Sequence, residues 1–300
     1  YQYQGIKDSP MRLSRSMVRS LDKPNILARP DDTWRHPGNG KVDSTPCHIR
    51  DEMMILSPDN SKVKELGHTL SELLDEKITT VSYGKSTILS CPFAGSCVRF
   101  CYQNKNKYPG SNRLHANNYY HVYGRSKVYI KNVIRKAIER LAKTTKVVRL
   151  NDNGDFMSLD EILAWLEIAQ EYNEMVFYGY TKNTPHMYKA RKQFGPFHSN
   201  FRVSISDLNE NDPTHDIYAK KIRQEYSEIK TCYIIDTPKR DEMYKDIPFN
   251  DGEMEAYKGE RDFKIALHVE PVQFKDCTPD ELLVNEKYPP GGMVNGIQTC

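Results

Sequence analysis

The stretch Val147–Ala169, VVRLNDNGDFMSLDEILAWLEIA, decides the fold. It begins with an apolar run typical of a buried strand, turns at Asn153–Asp155, and continues with apolar residues at helical spacing. Ser158 and Glu161 have the spacing of a capping box, in which the Ser side chain caps a helix and the Glu reaches back. The segment therefore predicts a strand, a tight turn and a helix, which together make up most of a βαβ unit.

The same alternation continues along the chain. Strand-like runs recur roughly every 30 residues, the length of one βαβ unit, with helical patterns between them. This order favours a parallel sheet covered by helices, and five or six units predict a partial (β/α) barrel. The predicted strands are Thr79–Ser82, Val147–Asn151, Met175–Tyr180, Phe201–Ser206, Thr231–Asp236 and Lys264–Val269. The predicted helices are Ser61–Leu74, His115–Lys143, Ser158–Tyr172, Pro185–Phe194 and Pro213–Tyr226.

Three regions of the chain differ in pattern. Residues 1–75 predict an irregular amino-terminal extension interrupted by prolines, and residues 76–270 carry the barrel pattern. Residues 271–300 are rich in proline and glycine, which predicts a loop-rich carboxyl-terminal tail. We therefore expect an α/β fold with one barrel domain between two irregular segments.

The composition excludes several protein classes. Of 300 residues, 38% are hydrophobic and 28% are charged, as in a polar globular protein. No apolar run approaches the ~18 residues of a membrane-spanning helix, and no signal peptide is recognisable, so we expect a cytoplasmic protein without a membrane partner. The net charge of +3 permits contact with nucleic acid but does not require it. Seven cysteines, an odd number, do not fit a secreted disulfide framework.

Three of the cysteines lie in one short segment, Ser90–Tyr102, SCPFAGSCVRFCY. Cys91, Cys97 and Cys101 follow the first predicted barrel strand at spacings of C-x5-C-x3-C. A structural zinc site usually has four ligands, often in tight C-x2-C pairs, and here only the distant His115 offers a fourth. Three thiolates can instead hold a [4Fe–4S] cluster and leave one iron open to a ligand. The residues leave three interpretations open: an iron–sulfur cluster, zinc, or thiols without a metal.

The cysteine loop resembles that of the radical S-adenosylmethionine enzymes. Their usual motif is C-x3-C-x-aromatic-C after the first strand of a parallel barrel, and Phe100 precedes the last cysteine as their aromatic residue does. Both spacings are longer in this chain, so the match is to a variant of the motif. The resemblance implies that the open iron binds the amino and carboxylate groups of S-adenosylmethionine. It also implies that Phe100 contacts the adenine, and Tyr102 is a further candidate contact.

Polar residues at the carboxyl ends of the next strands extend this resemblance. Functional residues of a parallel barrel lie at these strand ends. A glycine lets the backbone approach a ligand, a carboxylate binds an ammonium group, and hydroxyls suit ribose and carboxylate groups. Taken alone, the turn at Asn153–Asp155 is an ordinary connection from strand to helix. The candidate cofactor contacts are Asn153, Gly154, Asp155, Thr181, Lys182, Ser204 and Ser206.

Three segments together resemble the gene product 88 family of phages and plasmids. They are the cysteine loop, the stretch Val147–Ala169, and the strand end VFYGYTK at Val176–Lys182. The resemblance covers roughly residues 79–206, with a weaker patch near His268, and implies a phage-encoded protein of the host cytoplasm. Members of the family often carry a further cysteine group near the carboxyl end, where this chain has Cys277 and Cys300.

Two functions follow as hypotheses. The first is a radical-SAM-like enzyme whose [4Fe–4S] cluster reductively cleaves S-adenosylmethionine in order to modify a substrate. A phage setting favours nucleic acid or a nucleotide as that substrate. The second is a non-catalytic protein, stapled by zinc or an iron–sulfur cluster, that binds nucleic acid or a protein partner.

Overall fold

Strands and helices alternate through the residues that the computed structural model describes, namely 33–35, 42–46, 54–58, 60–85, 90–93, 109–207, 213–235, 243–250 and 253–266. The strands are β1 Thr33–Arg35, β2 Val42–Pro46, β3 Thr79–Ser82, β4 Thr145–Leu150, β5 Val176–Thr181, β6 Phe201–Asp207, β7 Thr231–Ile235 and β8 Phe263–Ala266. The helices are α1 Ser61–Leu74, α2 Pro109–Val122, α3 Lys127–Glu139, α4 Leu159–Glu171, α5 Thr184–Phe194, α6 Pro213–Glu225 and α7 Met254–Lys258. None of the helices in the described part of the chain is long and apolar enough to cross a membrane.

Strands β3 to β8 form a single sheet, whose order in space is the order in the chain. Every neighbouring pair in this sheet is parallel. Right-handed crossovers, the rule for such connections, place helices α3 to α6 on one face, and the sheet curls into a half-barrel. The predicted α/β fold with a partial barrel is therefore confirmed. β1 and β2 form a separate antiparallel pair.

The outer face of the half-barrel holds the larger hydrophobic core. Helices α3 to α6 lie side by side against it, and alternate strand residues such as Val148, Phe177 and Val203 are buried beneath them. Trp165 of α4 packs its ring 6.0 Å from that of Phe177. Burial of one Val or Phe side chain contributes roughly 1.5–3 kcal/mol, so this layer fixes the helices to the sheet.

The inner face has a smaller apolar cluster at the amino ends of the strands. Leu66 of α1 belongs to it together with Val147 and Phe263, the latter the first residue of β8. The Thr80 hydroxyl donates to the Val63 carbonyl of α1 at 2.6 Å. Helix α1, which the sequence places in the amino-terminal extension, therefore packs onto the barrel sheet.

Most predicted boundaries agree with the structure. The helix Ser61–Leu74 and the strand Thr79–Ser82 have the predicted bounds. At their described ends, the other barrel strands and the helices from α4 to α6 differ from prediction by no more than two residues. The predicted end of the last strand, Val269, lies outside the described residues.

One predicted helix was wrong. The stretch His115–Lys143 was expected to be continuous, but the structure has two helices, α2 and α3. Between them Gly124 adopts a φ of +65°, a left-handed conformation that ends a helix readily. Ser126 then caps α3 by accepting a hydrogen bond from the Tyr129 backbone N–H at 3.4 Å. The turn at Gly124 and the cap at Ser126 thus divide the stretch into two helices.

Gly179 of β5 faces the backbone of β4. A Cβ at this position would lie 2.3 Å from the Leu150 carbonyl oxygen, which is shorter than any real contact. We predict that Gly179→Ala lowers the free energy of unfolding by about 3 kcal/mol, because the two strands must move apart. Urea unfolding followed by circular dichroism measures this loss.

Gly124→Ala is the control for this experiment. A Cβ at Gly124 meets nothing within 4 Å, so that variant carries only the cost of a left-handed alanine, about 1 kcal/mol. Equal losses for the two variants would contradict the close approach at Gly179.

Candidate functional site at the carboxyl ends of the strands

The carboxyl ends of β3, β4 and β5 lie side by side and carry most of the predicted cofactor contacts. We call this edge, formed by residues 83–85, 151–155 and 181–183, the rim. The chain bends sharply after β4, because Asn151 has a φ of +54° and Gly154 a φ of +77°. A non-glycine residue in this conformation costs on the order of 1–3 kcal/mol, and such strain clusters at functional sites.

The cysteine loop begins against the rim. The Asp155 backbone N–H donates to the Ser90 carbonyl at 3.2 Å. A Cβ on Gly154 would lie 2.1 Å from Ser90 Oγ, so the absence of a side chain allows this approach. Ser90 immediately precedes Cys91, which is half-buried. Several predicted residues lie outside the described part of the chain: Cys97, Phe100, Cys101, Tyr102, His268, Cys277 and Cys300.

The described part of the loop also contacts the helix that follows β5. The Phe93 ring meets the His186 ring edge-on, with the ring centres 5.9 Å apart. His186 Nδ1 lies 2.9 Å from the side-chain nitrogen of Asn183, the residue that caps α5. Residues 90–93 therefore reach from the turn after β4 to the start of α5.

Asp155 joins neighbouring parts of the rim through one buried carboxylate. Its Oδ1 accepts hydrogen bonds from the Thr181 hydroxyl and the Phe156 N–H, both at 2.7 Å. Its Oδ2 accepts from the Lys182 N–H at 2.8 Å. Burial raises the pKa of the Asp155 carboxyl, while the Lys182 charge and these hydrogen bonds oppose the rise. Three predicted contacts, Asp155, Thr181 and Lys182, are thus brought together and bonded to one another.

His115 reaches the same turn from α2. Its Nδ1 lies 2.8 Å from Asn153 Nδ2. Its Nε2 lies close to Gly84, as does Asp152 Oδ1. A Cβ added to Gly84 would lie 3.0 Å from the His115 nitrogen and 2.2 Å from the Asp152 oxygen. Burial lowers the pKa of His115, Asp152 opposes this and Lys85 adds to it. The structure therefore places His115, the predicted distant fourth ligand of a zinc site, at the rim, where its Nδ1 contacts Asn153.

A fully buried ion pair beneath the rim is a feature that the sequence analysis missed. Lys85 Nζ lies 2.6 Å from Glu161 Oε1, and both side chains are 0% exposed. Nζ also donates to Asn151 Oδ1 at 3.0 Å and lies 4.4 Å from the centre of the Tyr83 ring. The pair ties the end of β3 to the start of α4.

Glu161 has a different role from the predicted one. Ser158 does cap α4, accepting from the Glu161 N–H at 3.2 Å. The Glu161 carboxylate was expected to reach back toward Ser158, but it accepts from the Tyr83 hydroxyl at 3.1 Å and the Met157 N–H at 2.7 Å as well as from Lys85. A signal was present in the sequence, because Glu161 shares a helix face with the apolar Trp165, and a carboxylate on such a face needs a partner.

The inner face of the half-barrel carries a polar layer below the rim. Arg149 Nε lies 3.3 Å from Glu253 Oε2, which also accepts from the Tyr180 hydroxyl at 2.8 Å. Asn250 Nδ2 donates to the same hydroxyl at 2.6 Å. The Tyr178 hydroxyl is buried without a hydrogen-bond partner among the described residues. These polar groups on the concave side of the sheet are largely buried and bond to one another.

Ser204 and Ser206 are buried on the inner face of β6, where Ser204 lies opposite Tyr180 of β5 in the sheet register. Ser206 lies opposite Cys232 of β7 in the sheet register, and burial raises the pKa of the Cys232 thiol. The structure therefore places these two predicted contacts on the concave face and the other described ones at the rim. Among the described residues, no group of three or more His, Cys, Asp and Glu side chains could hold a metal ion.

The buried Lys85–Glu161 pair gives a stability prediction. Removing one partner leaves an uncompensated buried charge, so Lys85→Met or Glu161→Leu should each lower the free energy of unfolding by about 3–5 kcal/mol. The double variant should lose less than either single variant, because no unpaired charge remains. Urea unfolding of all four proteins measures the coupling, and additive losses would contradict the ion pair.

Comparison with known proteins identifies the family. A family model described as Gene product 88 matches residues 54–270, a range that covers β3 to β8. Neither the curated proteins nor the solved structures gave a match. The family model spans well over half of the chain and includes the whole of the rim. The chain belongs to the gene product 88 family.

Proposed function

We propose that the protein is a radical-SAM-like iron–sulfur enzyme in which Cys91, Cys97 and Cys101 bind a [4Fe–4S] cluster at the rim. The observation that carries the proposal is the hydrogen bond between Ser90 and the turn that contains Gly154. It sets the first cysteine of the loop beside the turn after the next strand of a parallel half-barrel. From the resemblance to radical S-adenosylmethionine enzymes, we expect the cysteine loop to lie beside this turn.

The described residues near Cys91 suit such a cluster. Cysteine thiolates are the preferred ligands of iron–sulfur clusters, and three of them leave one iron open. The turn residue Gly154 has no side chain, so its backbone can lie close to the loop and to a bound cofactor. Glu161 neutralises the nearby charge of Lys85. The pair therefore adds no net charge to the rim.

When bound, a [4Fe–4S] cluster that has taken one electron from an external reductant supplies the electron that splits S-adenosylmethionine into methionine and a 5′-deoxyadenosyl radical. The chain's own groups would hold the substrate and cofactor. Asn153 offers an amide and Lys182 an ammonium group at the rim. Ser204 and Ser206 offer hydroxyls on the inner face.

A second candidate function rests on His115. A zinc ion held by Cys91, Cys97, Cys101 and His115 would form a closed structural site of the three-cysteine, one-histidine type. His115 lies at the rim, and burial favours its neutral form. In that case the protein would be a metal-stapled binding protein without catalysis.

Anaerobic metal analysis tests the proposed function. The wild-type protein, purified or reconstituted without oxygen, should contain about four irons per chain, the content of one [4Fe–4S] cluster. With dithionite and S-adenosylmethionine it should release 5′-deoxyadenosine, detected by liquid chromatography. Cys91→Ala should lose both properties, whereas Cys232→Ala, which removes a buried thiol on β7, should keep both. One zinc and no iron, or iron without 5′-deoxyadenosine, would contradict the proposal.

His115→Ala separates the two candidate functions. We expect this variant to keep about four irons per chain, because the three thiolates suffice for a cluster. A fourth zinc ligand at His115 would instead make the variant lose zinc. Inductively coupled plasma mass spectrometry of both proteins measures the difference. Loss of iron from the variant to below half of the wild-type content would contradict the three-cysteine assignment.

A further inference from the structure

The Asp155 carboxylate is committed to the protein's own donors. A carboxylate offers about four lone-pair sites, and three are used by the Thr181 hydroxyl and the Phe156 and Lys182 N–H groups. Asp155 is only 5% exposed. If this carboxylate turned toward a ligand's ammonium group, buried donors would lose their acceptor, which is unfavourable. The arrangement favours a carboxylate that stays where it is.

The backbone of Asp155 makes a separate contact with the cysteine loop. Its N–H donates to the Ser90 carbonyl at 3.2 Å, directly before Cys91. One residue therefore connects the end of β5, through its side chain, with the start of the loop, through its main chain. A change in the carboxylate contacts would shift the N–H that holds Ser90.

The same hydrogen bonds continue to the far side of the loop segment. The Thr181 hydroxyl accepts from the Asn183 N–H at 2.9 Å. Asn183 caps α5 by accepting from the His186 N–H at 3.2 Å, and the His186 ring contacts Phe93. Ser90 and Phe93 are thus held by two ends of one connected set of contacts that passes through Asp155 and Thr181.

We infer that Asp155 is a positioning residue, which fixes Cys91 at the rim by bonding the cysteine loop to the end of β5. It acts through Ser90 and Thr181 and does not itself bind the cofactor. The inference rests on the proposed function only for the identity of what Cys91 binds. The fixed position of Cys91 is a property of the chain and can be measured without any metal.

The test is the rate at which iodoacetamide alkylates Cys91 in the metal-free full-length protein, mapped by peptide mass spectrometry. Asp155→Asn puts an amide N–H₂ group, itself a donor, opposite the donors that now face the carboxylate, so at least one hydrogen bond is lost. The loop should then open more often, and the alkylation rate of Cys91 should rise about tenfold. Thr181→Val removes one donor and should raise the rate less, and Thr181→Ser should restore the wild-type rate. The second pair keeps the test valid if Asp155→Asn fails to fold by circular dichroism.

Asp152→Asn is the matched control, because it removes the same charge from the same turn. The Asp152 carboxylate accepts from the Asn60 side chain at 3.2 Å. Its variant should leave the Cys91 rate unchanged. Equal Cys91 rates in wild type, Asp155→Asn and Thr181→Val would overturn the inference, as would an equal rise in Asp152→Asn.

Iron loading distinguishes positioning from direct cofactor contact. Without S-adenosylmethionine, Asp155→Asn should bind less than half of the wild-type iron, because its loop is displaced. A direct cofactor ligand would leave iron loading intact and raise only the KM for S-adenosylmethionine, and that result would overturn the inference. If the wild-type protein binds no iron, the proposed function is contradicted. The difference in Cys91 alkylation rate between wild type and Asp155→Asn would still test the positioning role.

Discussion

The close approach of Gly154 to Ser90 is the contact on which the arrangement of the rim depends. It exists because Gly154 has no side chain and adopts a left-handed conformation. The approach lets the Asp155 N–H reach the Ser90 carbonyl, and it aligns the Asp155 carboxylate with the end of β5. This contact joins the beginning of the cysteine loop directly to the turn after β4.

The Lys85–Glu161 pair supports the same contact from below. A buried ion pair is weak evidence for stability, because desolvation offsets most of the attraction. Its value here is geometric: Lys85 lies at the end of β3, and its N–H donates to the Asn153 carbonyl at 2.8 Å. Strand β3, the turn after β4 and helix α4 are therefore fixed relative to one another before the loop begins. The rim also depends on the half-barrel, because consecutive parallel strands bring the carboxyl ends of β3, β4 and β5 to one edge of the sheet.

Much of the fold was predictable from sequence, because it depends on local patterns. Apolar runs at the βαβ spacing gave the six barrel strands, and Ser158 marked the start of α4. The break at Gly124 was not predicted, although Gly124 and Ser126 are of the types that end and begin helices. The short helix α7 also escaped prediction, because it has only five residues and lies in an irregular segment.

The candidate site was predictable in position but not in its bonding. Strand ends pointed to Asn153, Asp155 and Thr181, and the structure places all three at the rim. The pairing of Lys85 with Glu161 joins residues 76 positions apart, and no local pattern encodes a partner at that distance. The bond between Asp155 and Thr181 likewise depends on how two strands align, which sequence spacing alone does not determine.

Anomalous diffraction from anaerobically grown crystals tests the central claim most directly. Data collected on both sides of the iron absorption edge would locate iron atoms independently of any assumed chemistry. The account predicts an iron cluster bonded to Cys91 Sγ and lying beside the turn at Asn153–Asp155. Anomalous density that appears at the zinc edge instead, or iron bound away from Cys91 and this turn, would contradict it.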